Sequence, residues 1–225
     1  MKYKYSLLDL LLVFLVFSFL ESLLYLFFPE GIPTLFLLFL GFWYVVVILV
    51  WTLKYRKWSR SDLGLVNLLD EKNNWTGIGV GLFLAFVIIG IDTNTVYLLL
   101  HQPKLTGYCF ALLLVFLPTL ALVSALEEII YRGFLFTLLK NRLGLFAGIV
   151  LSSLVFSLSH TVGVVDPSVE SIYAIKVIAY IQKFVFGVAF AYFFAKTGSL
   201  SGPTLAHIVL NWCGVIVYTL SYCRR

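Results

Sequence analysis

Two adjacent glutamates and an arginine lie inside one of the most apolar stretches of the chain, as Glu127, Glu128 and Arg132. A charged side chain near the centre of a bilayer costs roughly 2.5 to 3.5 kcal/mol on insertion scales, so such residues are candidates for a functional site. On a helix, Glu128 and Arg132 are four positions apart and share a face, which predicts an ion pair. Glu127 is rotated by about 100° from Glu128 and is therefore expected to face another partner. A purely structural polar contact between helices is the alternative interpretation.

A histidine in the next apolar run is a candidate partner for Glu127. The turn between the two runs lies near residues 141–144, with Glu127 14 residues before it and His160 16 residues after it. At 1.5 Å per residue, the two side chains lie roughly 21 and 24 Å from the turn, at similar depth on antiparallel helices. A carboxylate beside an imidazole can orient a water and act as a general base. Phe156, one turn earlier, is expected to pack against the His160 ring.

A second histidine and an asparagine begin the last apolar run. His207 and Asn211 are four residues apart, so both side chains lie on one helix face. Two donors aimed at one point are the geometry of an oxyanion hole, where each donor is worth roughly 2.7 to 4 kcal/mol. The alternative is that Asn211 hydrogen-bonds an adjacent helix and His207 lies at the membrane interface, without a catalytic role.

The elements that must position these side chains are membrane helices. The 225 residues are 61% hydrophobic and 12% charged with a mean hydropathy of +1.01, far from the composition of soluble domains. A bilayer core asks for about 20 apolar residues per helix, and seven such runs lie at about residues 6–28, 33–53, 75–100, 105–139, 143–160, 172–195 and 203–222. The fourth is too long for one straight crossing and is expected to tilt, kink or divide near the glutamate pair.

These runs predict an all-α, polytopic transmembrane helical bundle with about seven membrane helices, or eight if the fourth run divides. We interpret residues 1–225 as a single integral membrane domain with the chemical motifs in a core at about 105–222. The net charge of +5 comes from Lys and Arg clustered between the apolar runs, which suits anionic lipid headgroups and excludes nucleic acid as the expected partner. The three cysteines have no paired spacing, so neither a disulfide framework nor a cysteine metal site is predicted.

The motifs in this order resemble those of the CAAX-protease and bacteriocin-processing family (CPBP, or Abi) of intramembrane endopeptidases, which includes the type II prenyl-protein endopeptidases. The residues that carry the resemblance are Glu127-Glu128-x-x-x-Arg132, Phe156-x-x-x-His160 and His207-x-x-x-Asn211. The resemblance covers roughly the second half of the chain. It implies a multi-pass membrane protein, in the cell membrane if the organism is prokaryotic, that cleaves a membrane-associated peptide or protein, with or without a prenyl group.

The resemblance also implies a role for each motif residue. Glu127 and His160 would activate the hydrolytic water, His207 and Asn211 would stabilise the oxyanion, and Glu128 and Arg132 would support them, with Phe156 beside His160. The family is labelled metalloprotease, and a metal-free mechanism that depends on glutamate is the alternative. Glu127, His160 and His207 could hold a divalent metal such as zinc. We favour the metal-free mechanism because one carboxylate would otherwise be both ligand and base.

Simple alternation of the helices conflicts with this site. His207 lies only a few residues into its span, on the side of the 141–144 turn, whereas Glu127 and His160 lie more than about 20 Å from that turn. The side chains meet only if a helix is broken, tilted or re-entrant. The run 172–195, with Lys176, Gln182 and Lys183 inside it, is the predicted place for the break.

Three functions fit these observations. The leading hypothesis is an intramembrane endopeptidase, because a base and an oxyanion site together serve no purpose in binding alone. The second is a non-catalytic membrane protein of the same fold, acting in bacteriocin immunity or partner binding. The third is a small transporter that uses the buried charges as a substrate or proton site.

Overall fold

The computed structural model describes residues 34–55, 57–91, 107–160 and 171–222, and these residues form helices joined by short connections. No strand occurs among them, as the all-α prediction requires. The predicted first span, 6–28, lies outside the described residues. The chain divides into two compact units, Met1–Ser59 and Arg60–Arg225.

The described part of the first unit is one helical element. Helix α1, Thr34–Leu49, continues into a π-helical segment, Val50–Tyr55. The Thr52 hydroxyl donates to the Ile48 carbonyl at 2.7 Å, and Trp58 N–H donates to the Thr52 carbonyl at 3.0 Å. The element therefore covers almost all of the segment predicted as the second span, 33–53, and ends two residues beyond it.

The second unit contains the remaining helices. They are α2, Glu71–Ile91; α3, Gly107–Glu128; a π-helical segment, Ile129–Phe136; α4, Thr137–Leu143; α5, Leu145–Ser159; α6, Ser171–Thr197; and α7, Ser201–Tyr222. Helix α7 packs against both α2 and α3, and α5 packs against α6. A buried apolar cluster joins α2, α6 and α7 through Ala85, Phe186, Phe190, Ala206 and Leu210.

The long fourth run changes its helical geometry immediately after the glutamate pair. Helix α3 ends at Glu128, and the π-helical segment Ile129–Phe136 leads directly into α4. The run does not divide here, because Leu113–Leu143 is one continuous helical stretch of 31 residues. Short π-helical insertions are rare and frequently stand at functional sites. All six residues from 131 to 136 are buried, so neighbouring elements surround this segment.

The turn between α6 and α7 lies deep in the second unit. Leu200 N–H donates to the Gly64 carbonyl at 3.0 Å, and a Cβ built on Gly133 would lie 2.9 Å from the Leu63 carbonyl oxygen and 3.5 Å from the Leu200 side chain. The turn is therefore level with Gly133 rather than with the α4–α5 turn. Gly64 occupies the left-handed region with φ of 70°, which glycine adopts at little cost.

Because the α6–α7 turn lies at this depth, His207 reaches the level of Glu127, which simple alternation of the helices did not allow. Glu127 precedes Gly133 by six residues, and His207 follows Ser201, the first residue of α7, by six residues. At 1.5 Å per residue both side chains lie about 9 Å from the same level. The predicted break in run 172–195 is wrong, because α6 is continuous from Ser171 to Thr197. Leu63 and Gly64 position the turn instead.

Two helical stretches in the described residues are long and apolar enough to cross a membrane, by length and composition. They are Leu113–Leu143, with 31 residues, and Val177–Thr197, with 21 residues. Phe42–Lys54, Leu145–Ser159 and Ser201–Val217 are apolar but shorter. The predicted count of seven or eight spans is thus not confirmed by the described residues, because these three helices are shorter than a full crossing.

Candidate active site

Three side chains from separate elements converge at the level of Glu127. The Glu127 Oε2 atom, at the end of α3, lies 3.5 Å from Nε2 of His160, which directly follows α5. The same oxygen lies 3.6 Å from Nε2 of His207, in the second turn of α7. The predicted proximity of Glu127 and His160 is confirmed by this geometry. His207 joins them at the same carboxylate oxygen.

Glu128 connects His207 to Arg132. Its Oε1 atom accepts a hydrogen bond from Arg132 Nη1 at 2.9 Å and lies 2.8 Å from His207 Nδ1. All three side chains are almost completely buried. The predicted ion pair between Glu128 and Arg132 is confirmed. The link from Glu128 to His207 had no signal in the sequence, since 79 residues separate the two positions.

Each histidine is held through its Nδ1 atom. His160 Nδ1 lies 2.8 Å from the Phe156 carbonyl oxygen, which can only accept, so Nδ1 carries a proton in this contact. By the same reasoning, the Nδ1–H group of His207 donates a hydrogen bond to the Glu128 carboxylate. In a neutral imidazole, Nε2 is then the unprotonated acceptor. Both Nε2 atoms face Glu127, which is the arrangement needed to move a proton at that oxygen.

A hydroxyl pair supports His160 from behind. The Tyr131 hydroxyl donates to Ser159 Oγ at 2.7 Å, and Ser159 Oγ donates to the Phe156 carbonyl at 2.9 Å. Ser159 Oγ also lies 3.4 Å from His160 Nδ1. Neither Tyr131 nor Ser159 was singled out in the sequence, although Ser159 is adjacent to His160.

Aromatic rings enclose the charged groups. The Phe156 ring centroid lies 4.4 Å from that of His160, which confirms the predicted packing, and 4.3 Å from the Arg132 guanidinium carbon. On the other side, the Phe190 ring lies 5.2 Å from the His207 ring and 5.3 Å from Arg132. A guanidinium over aromatic faces is stabilised by cation–π attraction. The two phenylalanines fix the orientation of both imidazoles and of Arg132.

Asn211 lies one turn beyond His207 on the same face of α7, towards α3. Its Nδ2 atom donates to Ser124 Oγ at 3.0 Å, and Ser124 is fully buried one turn before Glu128. The pairs His207–Glu128 and Asn211–Ser124 thus run along antiparallel helices in register. One of the two amide protons of Asn211 is used by Ser124, and the other remains available to a further acceptor.

Three buried polar atoms of the site have no hydrogen-bond partner among the described residues. They are Glu127 Oε2, Glu128 Oε2 and Arg132 Nη2. Polar contacts longer than about 3.5 Å are typical places for a bridging water, and Glu127 Oε2 has two such contacts at 3.5 and 3.6 Å. In the described part of the chain, no group of three or more His, Cys, Asp or Glu side chains is placed to hold a metal ion.

Residues 109–213 match the model of a known protein family, which is described as type II CAAX prenyl endopeptidase Rce1-like. This segment is therefore similar to the Rce1-like family. The match spans slightly less than half of the chain. No match was found among curated proteins or among solved structures.

The Rce1-like segment contains every motif residue that carried the resemblance, from Glu127 to Asn211. The predicted family is therefore confirmed by an independent comparison. The Rce1-like family consists of membrane-embedded proteases, and the two long apolar stretches Leu113–Leu143 and Val177–Thr197 agree with a membrane location. Both Leu113–Leu143 and Val177–Thr197 lie entirely within the Rce1-like segment, so the site and the two long apolar stretches are in the same part of the molecule.

Proposed function

We propose that this chain is an intramembrane endopeptidase that hydrolyses a peptide bond at or within the bilayer. One observation carries the proposal: Glu127 Oε2, buried and without a hydrogen bond among the described residues, faces Nε2 of both His160 and His207. A binding protein or a structural ion pair does not require two imidazole Nε2 atoms aimed at one carboxylate oxygen. The Rce1-like family match supports a protease in general.

In the proposed reaction, a water between Glu127 and His160 attacks the carbonyl carbon of the peptide. The carboxylate takes one proton from the water as the new C–O bond forms, with His160 Nε2 orienting the water. The carbonyl π electrons move to its oxygen and produce a tetrahedral oxyanion. Collapse of this intermediate breaks the C–N bond, and the proton held by Glu127 passes to the leaving nitrogen. Glu127 returns to its starting ionisation state.

The oxyanion is proposed to be stabilised by His207 and Asn211. Nδ1 of His207 is hydrogen-bonded to Glu128, so only Nε2 can face the oxyanion. To donate a hydrogen bond there, Nε2 must also be protonated, which makes the ring an imidazolium. The anionic Glu128 then compensates the charge of the imidazolium. Asn211 supplies its second amide proton, while Ser124 holds the first. Each such donor is worth about 10²–10³-fold in kcat in other hydrolases.

A divalent metal is the alternative cofactor. Glu127, His160 and His207 are of the types that bind zinc, and both Nε2 atoms are oriented by bonds at Nδ1, as is common for metal-binding histidines. Zinc bound there would polarise the carbonyl as a Lewis acid. We favour the reaction that uses the side chains alone, because the Glu127 carboxylate would otherwise be both metal ligand and base.

The substrate is proposed to be a membrane-associated peptide or protein, with prenylated proteins as the class that the family name suggests. Large apolar side chains are exposed on the helices around the site, including Phe83, Phe86, Leu114 and Val115. Such surfaces suit lipid contact, and a substrate held in the same bilayer would reach the site laterally. We propose a multi-pass location in the membrane, which is the cell membrane if the chain is prokaryotic.

The decisive experiment replaces Glu127 by Gln in purified protein and measures hydrolysis of a prenylated or apolar peptide. The amide keeps the shape of the side chain but cannot accept the proton, so we expect a loss of about 10²–10⁴-fold or more. Glu71→Gln is the matched control, because Glu71 is exposed at the start of α2 and should leave hydrolysis unchanged.

Other outcomes of this experiment separate the competing functions. Undiminished cleavage by Glu127→Gln would reject the catalytic role of Glu127. Binding of a partner without hydrolysis by the unaltered protein would favour the non-catalytic role. Ion or solute flux in proteoliposomes that depends on Glu127, without hydrolysis, would favour transport.

A further inference from the structure

A lysine lies in the middle of the apolar span Val177–Thr197, on the side that faces the candidate site. Lys183 follows Tyr180 by three residues and precedes Gly187 by four, so the three share one face of α6. The Tyr180 carbonyl accepts a bond from Ser157 Oγ at 2.7 Å, and a Cβ on Gly187 would lie 2.9 Å from Ser153 Cβ. This face therefore packs on α5, near the end that carries His160.

Exposure along α6 supports the same orientation. The Lys183 side chain is partly buried, whereas Ile181 is 57% exposed and Val185 is 50% exposed. The lysine thus turns away from the lipid-facing side. Lys183 extends the site on the side of α6 that lies two turns before Phe190.

Lys183 has no ion-pair partner within 4.0 Å among the described residues. A cation inside a membrane span is costly and by default indicates a function. Glu127 and Glu128 also make the site unfavourable for an anionic group of a substrate. A cation on this face of α6 offsets that repulsion and, with three N–H donors, can bind a carboxylate directly.

We propose that Lys183 binds a carboxylate of the peptide substrate and thereby selects substrates that carry one near the cleaved bond. The carboxylate is either the C-terminus of the peptide or an acidic side chain, and both have the same chemistry at the ammonium. This inference rests on the proposed peptidase function. It makes Lys183 a residue that determines specificity, separate from the groups that move protons.

A simpler role for Lys183 makes a different prediction. If the lysine only compensates the charge of Glu127, its loss changes the hydrolysis of every peptide by the same factor. If it binds a substrate carboxylate, its loss affects only peptides that have the carboxylate. A comparison of matched peptides therefore separates the two roles.

The test uses fluorogenic apolar peptides that differ only at the C-terminus, as free acid or amide, and a third, amidated peptide with one Glu after the cleaved bond. We expect the unaltered protein to cleave an acid form with kcat/KM about 10- to 100-fold above the neutral amide, the range for hydrogen bonds to charged groups. Lys183→Met should abolish this preference, Lys183→Arg should keep most of it, and Lys196→Met, in the exposed last turn of α6, should not alter it. The peptide that shows the preference identifies the source of the carboxylate.

Three results would overturn the proposal: no preference in the unaltered protein, a preference that persists in Lys183→Met, or an equal loss for acid and amide in that variant. Binding of the same peptides to Glu127→Gln, with and without Lys183→Met, provides a readout that does not need hydrolysis. Acid peptides should bind about 10-fold or more weakly when Lys183 is replaced. Failure of the peptidase function would remove cleavage of all peptides yet leave this difference in binding.

Discussion

Glu128 and His207, 79 residues apart in the chain, are joined by a contact of 2.8 Å between Oε1 and Nδ1. The same oxygen holds Arg132 at 2.9 Å. This buried carboxylate therefore orients an imidazole that faces Glu127 while it neutralises a guanidinium. Mutation can separate these two roles of Glu128, orienting His207 and neutralising Arg132.

Replacing Glu128 by Gln should destabilise the protein strongly. The amide leaves the Arg132 charge buried without compensation, and breaking a buried pair in this way costs about 3–5 kcal/mol of unfolding free energy. The double variant Glu128→Gln with Arg132→Met removes both charges and should recover part of this loss. Denaturant titration in detergent measures both values. Equal stability of Glu128→Gln and the unaltered protein would contradict the assignment.

Phe156→Ala should lower both stability and turnover. The ring is 1% exposed and lies between His160 and Arg132, and loss of a buried phenylalanine costs about 3–5 kcal/mol. Phe146→Ala on the same helix is the matched control, since Phe146 is 81% exposed and its loss should change stability by less than about 0.5 kcal/mol. Thermal unfolding and hydrolysis of one peptide by both variants check the prediction. Similar effects at the two positions would argue against a packed aromatic site.

Removal of divalent metal should leave hydrolysis intact. The favoured mechanism assigns proton transfer and oxyanion stabilisation to side chains. Dialysis against a chelator is therefore expected to change kcat by less than about twofold, which is far below the tenfold change that 1.36 kcal/mol of activation free energy would produce. Metal content should be measured on the same sample. Loss of activity that zinc restores would replace the side-chain mechanism by one in which Glu127, His160 and His207 hold the metal.

The close contact of α2 with α7 should depend on Gly77 and Gly81 but not on Gly79. A Cβ at Gly77 would overlap the Gly202 carbonyl oxygen, and one at Gly81 would lie 2.6 Å from the Ala206 carbonyl oxygen. Alanine at either position forces the helices apart and should cost about 1–3 kcal/mol. Gly79→Ala meets no atom within 4 Å and should be neutral or stabilising by up to about 1 kcal/mol. Thermal unfolding of the three single variants decides the matter, and an equal loss at all three positions would contradict this packing.

Part of the site follows from local pattern. Glu128 and Arg132 pair because they are one helical turn apart, and Glu127 meets His160 because a short turn makes α3–α4 and α5 antiparallel neighbours. His207 could not be placed in this way. Its depth depends on Leu63 and Gly64, which hold the α6–α7 turn and belong to a segment without a chemical motif. Phe190 was not found because nothing in the sequence distinguishes it from the other phenylalanines of α6.

The position of the α6–α7 turn beside Gly133 also affects how substrate and water reach the site. Below the charged groups, Phe136, Ala191, Phe194 and Leu200 form a buried apolar cluster that fills the space between the π-helical segment and the α6–α7 turn. This end of the site is dry and closed. Under the proposed function, water, peptide and both cleavage products therefore bypass this cluster and reach Glu127 from the other sides of the site. The cluster is in this sense the closed floor of a well and not part of a passage.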